Sequence, residues 1–302
     1  MRFGGRGIYR AGSFCYTPPV RKIVLACVCA AFLSFGLPAE EEKAEKGWSF
    51  GNNLAVQVNP LGLTMDTRLW HTWPLFSDKQ GILWNTARVD AGLHNSAAPA
   101  YNTLSVFVRV EPLAFFDFLA HAGLRTYYDV FGYGYTPLES YGASWDARDR
   151  KDSPRYEAAA LRYGFTATLK GAVGPFVFGS ATSLIISDMF SPRGGKDYYY
   201  DPTAETALAL FDGFLTNDSL VLYTFSRAPV VRAGLLHGFL YVPGSEYSSR
   251  RLCFLGRIEG GPGKSLKLFG TLLCGVFLKD RYYSWKTGKI NAAVQTGIAM
   301  KL

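Results

Sequence analysis

Residues 40–302 of this 302-residue chain hold no breaker-free apolar run of membrane-helix length. The uncharged stretch 171–187 is interrupted by Gly174, Pro175, Gly179, Ser180 and Thr182, whereas a helical span needs about 20 apolar residues. A bundle of membrane helices is therefore excluded. Charge is scarce at 19%, against 48% hydrophobic and 15% aromatic residues, which excludes a disordered chain. Cysteine is scarcer still. Of five, only Cys253 and Cys274 lie beyond residue 39, too few for a disulfide framework. The four histidines (His71, His94, His121, His237) have no metal-ligand spacing. Phosphate-loop, dinucleotide and nucleophile-elbow motifs are absent, as is any 20–50-residue repeat. The composition thus implies no cofactor and no enzyme.

The formal net charge of +8 suggests nucleic acid until its placement is read. Five of the 32 basic residues (Arg2, Arg6, Arg10, Arg21, Lys22) and none of the 24 acids fall within residues 1–39. Residues 40–302 therefore carry 27 − 24 = +3, without a nucleic-acid footprint. Arg21-Lys22 precedes the apolar run 23–33, and Ser34 to Ala39 leads into Glu40-Glu41-Glu42. A basic segment, a short apolar core and a small residue at the cut predict a secretory signal cleaved after Ala39. The twenty residues before that basic pair read as an extension, with an alternative start at Val20. Residues 40–47 read as a charged linker, and 48–302 as one exported domain.

What that domain does contain is alternation with a period of two, the mark of strands with two different faces. In 290–302, Ile290, Ala292, Val294, Ile298 and Met300 separate from Asn291, Gln295, Gly297 and Lys301. In 103–111, Leu104, Val106, Val108 and Val110 separate from Thr103, Ser105, Arg109 and Glu111. The same sorting runs through 48–58, 61–73, 83–94, 116–130 and 158–170, and more weakly through 176–187, 218–226, 230–242, 250–260 and 265–279. The polar row is mostly Gly, Ala, Ser, Thr and Asn with one or two charges per strand, as a narrow wet interior requires. Aromatic residues gather near strand ends: Trp70, Trp73 and Phe76; Tyr127, Tyr128, Phe131, Tyr133 and Tyr135; Tyr198, Tyr199 and Tyr200; Tyr282, Tyr283 and Trp285. Aromatic girdles of this kind mark membrane–water interfaces.

On these features residues 48–302 resemble bacterial outer-membrane β-barrel proteins of the porin-like kind. The resemblance implies an all-β, transmembrane, antiparallel up-and-down barrel in the bacterial outer membrane. Its partners would be outer-membrane lipid, the barrel-assembly machinery and small polar solutes. Threading short Pro/Gly turns against the longer connections 130–153, 191–205 and 280–289 gives 12 strands with both termini periplasmic. Ten or fourteen remain open, because Pro202 to Leu215 reads as either a loop helix or another strand. Parity places Cys253 inside and Cys274 outside, so no bridge between them is expected.

The same parity directs Asp66, Arg68, Arg88, Asp90, Arg109, Glu111, Asp117, His121, Arg125, Arg162, Lys170, Arg232, Arg257, Glu259 and Lys267 to the interior. Such a set predicts a passive channel leaning weakly towards anions. Two alternatives stand beside it: a barrel plugged by cross-strand ion pairs and acting as a surface-exposed structural or adhesive protein, and a soluble secreted β-sandwich. His71 and His237 point outward, with no serine evident beside them.

Overall fold

In the computed structural model the described residues are 44–58, 62–76, 81, 83–128, 134–143, 154–261, 265–281 and 286–302. The signal segment, the cut after Ala39, the turn at 59–61 and the charged run 148–151 lie outside them. So do Phe131, Tyr133, Tyr282, Tyr283 and Trp285.

Alternation builds long antiparallel strands. Five come first: β1 (Gly47–Val58), β2 (Gly62–Pro74), β3 (Arg88–Ala98), β4 (Tyr101–Leu113) and β5 (Phe116–Tyr127). After the two-residue β6 (Pro137–Leu138) come β7 (Ala158–Val173) and β8 (Phe176–Met189). The short β9 (Tyr198–Asp201) and β10 (Thr206–Ala209) precede β11 (Phe211–Arg227) and β12 (Val230–Val242). The last three are β13 (Tyr247–Gly260), β14 (Leu266–Asp280) and β15 (Ile290–Lys301). Twelve of these close into one antiparallel barrel in the order β1-β2-β3-β4-β5-β7-β8-β11-β12-β13-β14-β15. Closure comes from β1 pairing with β15, from Ser49 opposite Lys301 to Val58 opposite Ala292, so the barrel wall has no free edge. Two stacked sheets are not formed, so the β-sandwich alternative is set aside.

Tight turns such as Gly174-Pro175 join strands at the end where β1 begins and β15 finishes, here called the terminal mouth. Gly174 adopts φ +58°, a left-handed conformation that glycine takes without steric cost. The 75–87 connection at the same mouth is longer. Of its described residues, Leu83 O accepts from Ala114 N–H (3.1 Å) and Asn85 O from Ala44 N–H (2.8 Å). Residues 83–86 are turn, and the strand expected over 83–94 starts at Arg88.

The opposite, loop mouth carries the remaining elements. Pro202 to Leu215 is neither a loop helix nor an extra wall strand. It forms the tip and second arm of a hairpin, β9–β10, followed by the first residues of wall strand β11. β9 also pairs with β6, making a separate three-stranded sheet. Around that sheet lies the largest buried apolar cluster: Tyr101, Tyr127, Tyr135, Tyr199, Tyr200, Ala207, Leu208, Phe214, Val242 and Tyr247 among others. Tyr127, Tyr135, Tyr199 and Tyr200, expected in an interfacial girdle, instead build this inner core. Trp70 is a second correction. It lies on the inward row of β2, and its ring covers Gly51 of β1 at 3.3 Å from where a Cβ would stand.

The outer face is apolar and uncovered. Val106 is 60% exposed, and Leu54, Leu93, Leu104, Val108, Phe165, Leu235, Phe254, Leu272 and Val294 are likewise exposed. Trp48, His71 and Trp73 pack ring to ring on this face beside the terminal mouth, with centroids 5.2 and 4.3 Å apart.

Candidate pore and its constriction

On each strand the charged residues named above occupy the row opposite the exposed aliphatic side chains. Arg88, Asp90, Arg109, Glu111, Asp117 and Lys170 come together near the terminal mouth, where β3, β4, β5 and β7 are consecutive. Glu111 is fully buried, with Lys170 Nζ at 2.9 Å from Oε1 and Arg88 Nη2 at 3.0 Å from Oε2. Arg109 Nη2 donates to Asp117 Oδ2 (2.8 Å), Arg88 Nε to Asp90 Oδ2 (3.1 Å), and Thr72 Oγ1 to Asp90 Oδ1 (2.7 Å). Three cations here meet three carboxylates. A charge taken out of water is costly unless paired and hydrogen-bonded, so such a cluster holds its members in place.

Midway along the wall, His94 Nε2 lies 3.2 Å from Asp66 Oδ1. His121 faces Gly164 of β7, and its imidazole fills the space a side chain there would need. Arg68 is exposed to the interior. On the far wall Arg232, Arg257, Glu259 and Lys267 lie nearer the terminal mouth.

Near the loop mouth, Arg125 and Arg162 meet a partner that alternation did not reveal: Asp201, the last residue of β9. Asp201 is fully buried, and Arg162 Nη1 donates to its Oδ2 at 3.1 Å. Arg125 Nη1 stands 3.5 Å from the same oxygen, and the Tyr127 hydroxyl donates to it at 3.4 Å. The other oxygen, Oδ1, accepts the backbone N–H groups of Thr203 and Ala204 at 2.8 Å each. The carboxylate thus shapes the hairpin tip and fastens it to the wall at once. Arg125 also donates to Thr103 Oγ1 and Thr203 Oγ1 (2.8 Å each), with its guanidinium 3.9 Å over the Tyr101 ring.

Beyond Asp201 the tip crosses the mouth. Glu205, held at φ +55°, reaches Lys286 Nζ (3.2 Å to Oε2) and Gln57 Nε2 (3.4 Å to Oε1). Gln57 belongs to β1, five to six strands round the ring from β8 and β11, between which the hairpin is inserted. Lys286 itself is buried, with Asp280 Oδ2 at 3.8 Å. The tip is therefore anchored on both sides of the barrel. Beneath it lies a cavity of about 140 Å³ lined by Thr203, Glu205, Thr216, Asp218, Ser249 and Arg251 among others.

Tyrosines of this assembly are dry. Burial pushes the Tyr135 hydroxyl up to about 12. Burial also raises Tyr199, whose hydroxyl donates to Ser187 Oγ at 2.9 Å. Tyr141 is raised by burial and by donation to Asp212 Oδ2 at 2.9 Å.

The interior is not polar throughout. Leu222, Leu236 and Leu255 are buried on the inward rows of β11, β12 and β13, against Val177, Leu220 and Leu273. The wall of β11, β12 and β13 thus places an aliphatic patch among its charged residues. The outer face has its own exceptions. Asn217 donates to Ser180 Oγ (3.0 Å) and Thr182 Oγ1 (2.9 Å) and accepts from Ser219 Oγ (2.8 Å). Ser219 is the register partner of the outward His237, a neighbour the sequence alone did not supply. Cys253 is buried on an inward row, Cys274 is exposed on an outward one, and both are free. Among the described residues no group of three His, Cys, Asp or Glu could hold a metal ion.

No protein-family model matches the chain, and no curated protein matches it in sequence. Solved structures with a similar shape include the NanC porin, at 10% identity and a TM-score of 0.42, over 84% of this chain and 100% of that one. The β domain of the Bordetella autotransporter BrkA is 8% identical with a TM-score of 0.46, over 86% and 100%. The translocator domain of the autotransporter NalP from Neisseria meningitidis is 12% identical with a TM-score of 0.39, over 94% and 95%. At such identities the likeness is one of barrel architecture.

Proposed function

We propose that this chain is an integral outer-membrane barrel through which small polar solutes diffuse passively, with a preference for anions, past a mouth narrowed by the β9–β10 hairpin. The observation that carries the reading is the opposition of faces along each wall strand. On β4, Leu104, Val106 and Val108 are bare on the outside, while Thr103, Ser105, Arg109 and Glu111 point inside. Bare aliphatic rows on a closed barrel match acyl chains, and a charged inner row needs water. Closure satisfies every wall strand's backbone laterally, as hydrocarbon demands.

The anion preference comes from which charges stay wet. Asp90, Glu111, Asp117, Asp201 and Asp280 are buried among their cations. Arg68 and Lys267 are exposed, and the Arg251 and Arg257 side chains are about a third exposed (33% and 37%). Against them stand the partly exposed Asp66, Asp218 and Glu259 (31%, 46% and 28%). A surplus of solvated cations raises the local concentration of anions in a low-dielectric tube.

By the usual disposition of short turns, the terminal mouth faces the periplasm and the loop mouth the exterior. The second reading, a barrel sealed by its hairpin and acting through its loops, is favoured by the anchorage of Asp201 and Glu205 on opposite walls. Liposome swelling with a series of neutral sugars and zwitterionic amino acids separates the two. Swelling that falls with solute size supports the passage, and none at any size supports the seal.

A further inference from the structure

Along one line of register partners on the inner wall, from near the terminal mouth on β11 to mid-strand on β15, adjacent strands present Thr224, Arg232, Arg257, Thr271 and Gln295 side by side. Thr224 of β11 faces Arg232 of β12, Arg232 faces Arg257 of β13, Arg257 faces Thr271 of β14, and Thr271 faces Gln295 of β15. All five occupy inward rows. The row holds two arginines in directly opposed positions and no carboxylate.

Like charges directly opposite each other destabilise an antiparallel pair. Neutralisation is incomplete here. Arg257 Nε and Nη2 both donate to Glu259 Oε2 at 3.3 Å, and its guanidinium lies 4.7 Å from the Phe269 ring centroid. Arg232 has no ion-pair partner among the described residues, and its Nε is buried without a hydrogen-bond acceptor. Thr271 Oγ1, two places along, is likewise buried without a partner. Two buried polar groups left unsatisfied in the same row, beside a positive charge without an ion-pair partner, are a cost that a bound acceptor removes. Arg109 Nε and Arg162 Nη2 are also buried without an acceptor, but those two side chains, like Arg88, Arg125 and Lys170, are tied to carboxylates through another nitrogen.

We infer that the Thr224–Arg232–Arg257–Thr271–Gln295 row is a binding subsite for a small oxyanion, a phosphate or the carboxylate of a small solute, reached from the terminal mouth. Guanidinium donors, hydroxyls and an amide side by side are the donor set that tetrahedral and planar oxyanions take up, and two fixed guanidinium forks favour them over chloride. Lys267, on the same face of β14 nearer the mouth, adds attraction at entry. The inference deepens the anion preference proposed above, but it concerns binding and does not require flow.

The test uses the full barrel in detergent, with inorganic phosphate as probe, followed by phosphorus NMR line broadening and calorimetry. Wild type is expected to bind phosphate saturably. Arg232→Gln is expected to weaken it about tenfold or more, the loss of one charge-assisted contact. Thr166→Ala, at an uncharged position on another wall strand, β7, is expected to leave it unchanged. Acetate as a second probe shows whether carboxylates share the site. Folding of each variant is checked by heat-modifiable migration. Should Arg232→Gln misfold, Arg257→Lys, which keeps the charge and loses the fork, is expected to weaken phosphate binding too. Absence of saturable binding by wild type, or equal binding by wild type and a folded Arg232→Gln protein, overturns the subsite. Binding without any swelling of liposomes overturns the passage and leaves the subsite standing.

Discussion

Glu205 Oε2 lies 3.2 Å from Lys286 Nζ, although one residue tips a hairpin inserted between β8 and β11 and the other belongs to the connection between β14 and β15. The contact spans the loop mouth. It makes the hairpin a strap held at both ends, with Asp201 fastening the near end to Arg125 and Arg162.

Releasing the far end is expected to widen the passage. In Glu205→Gln the ion pair to Lys286 is lost while the tip's backbone is kept. Bilayer recordings are expected to show larger or noisier conductance steps than wild type, and higher salt is expected to mimic the change in part by screening the pair. Steps unchanged in size and noise count against the strap.

Cutting the near end is expected to affect stability more than flow. Asp201→Ala leaves two buried guanidinium groups without their shared carboxylate, a loss of about 3–5 kcal/mol for a broken buried pair. Thermal unfolding followed by heat-modifiable migration is expected to shift down clearly. A shift no larger than that of Glu205→Gln contradicts the assignment of Asp201 as the main anchor.

Lipid contact is tested on β4. Val106→Arg puts a charge among acyl chains and is expected to destabilise the barrel by about 2–4 kcal/mol, as measured by urea unfolding in lipid vesicles. Ser105→Thr, one residue away on the inner row, is expected to cost far less. Equal effects are incompatible with opposed faces.

Alkaline pH is expected to loosen the loop mouth. Tyr135 is raised to about 12 by burial, so the folded state holds its proton where the unfolded chain has released it. Its contribution is present in full below about pH 10 and is lost as pH rises through 12. A difference titration of wild type against Tyr135→Phe at 295 nm is expected to show one tyrosine ionising near pH 12. Ionisation near 10 contradicts its burial.

The wall was legible in the sequence because alternation is a local signal, repeated over ten or more residues in β4, β7 and β15. It fixed the facing of Arg88, Glu111 and Arg162, and threading of the turns yielded twelve strands. The strap was not legible. β9 and β10 are four residues each, too short for a period to show, and their apolar residues Tyr199, Ala207 and Leu208 pack into a core private to the mouth. Asp201 therefore read as loop, although it is the partner of two arginines that were found. Trp70 and the tyrosines misled for a related reason. An aromatic at a strand end suits an interface or an inner core equally, and only the third dimension separates them. Asn217, Ser180 and Ser219 break the outer apolar row because they satisfy one another across β8 and β11, a pairing that depends on register.

The most direct test is planar-bilayer conductance of the wild-type barrel beside one in which residues 202–205 are replaced by a two-residue Asn-Gly turn. Wild type is expected to give small, steady steps with a reversal potential favouring anions in a salt gradient, and the shortened chain larger steps of the same sign. A silent wild type, or a shortened chain whose steps are no larger, contradicts a water-filled passage narrowed by the hairpin.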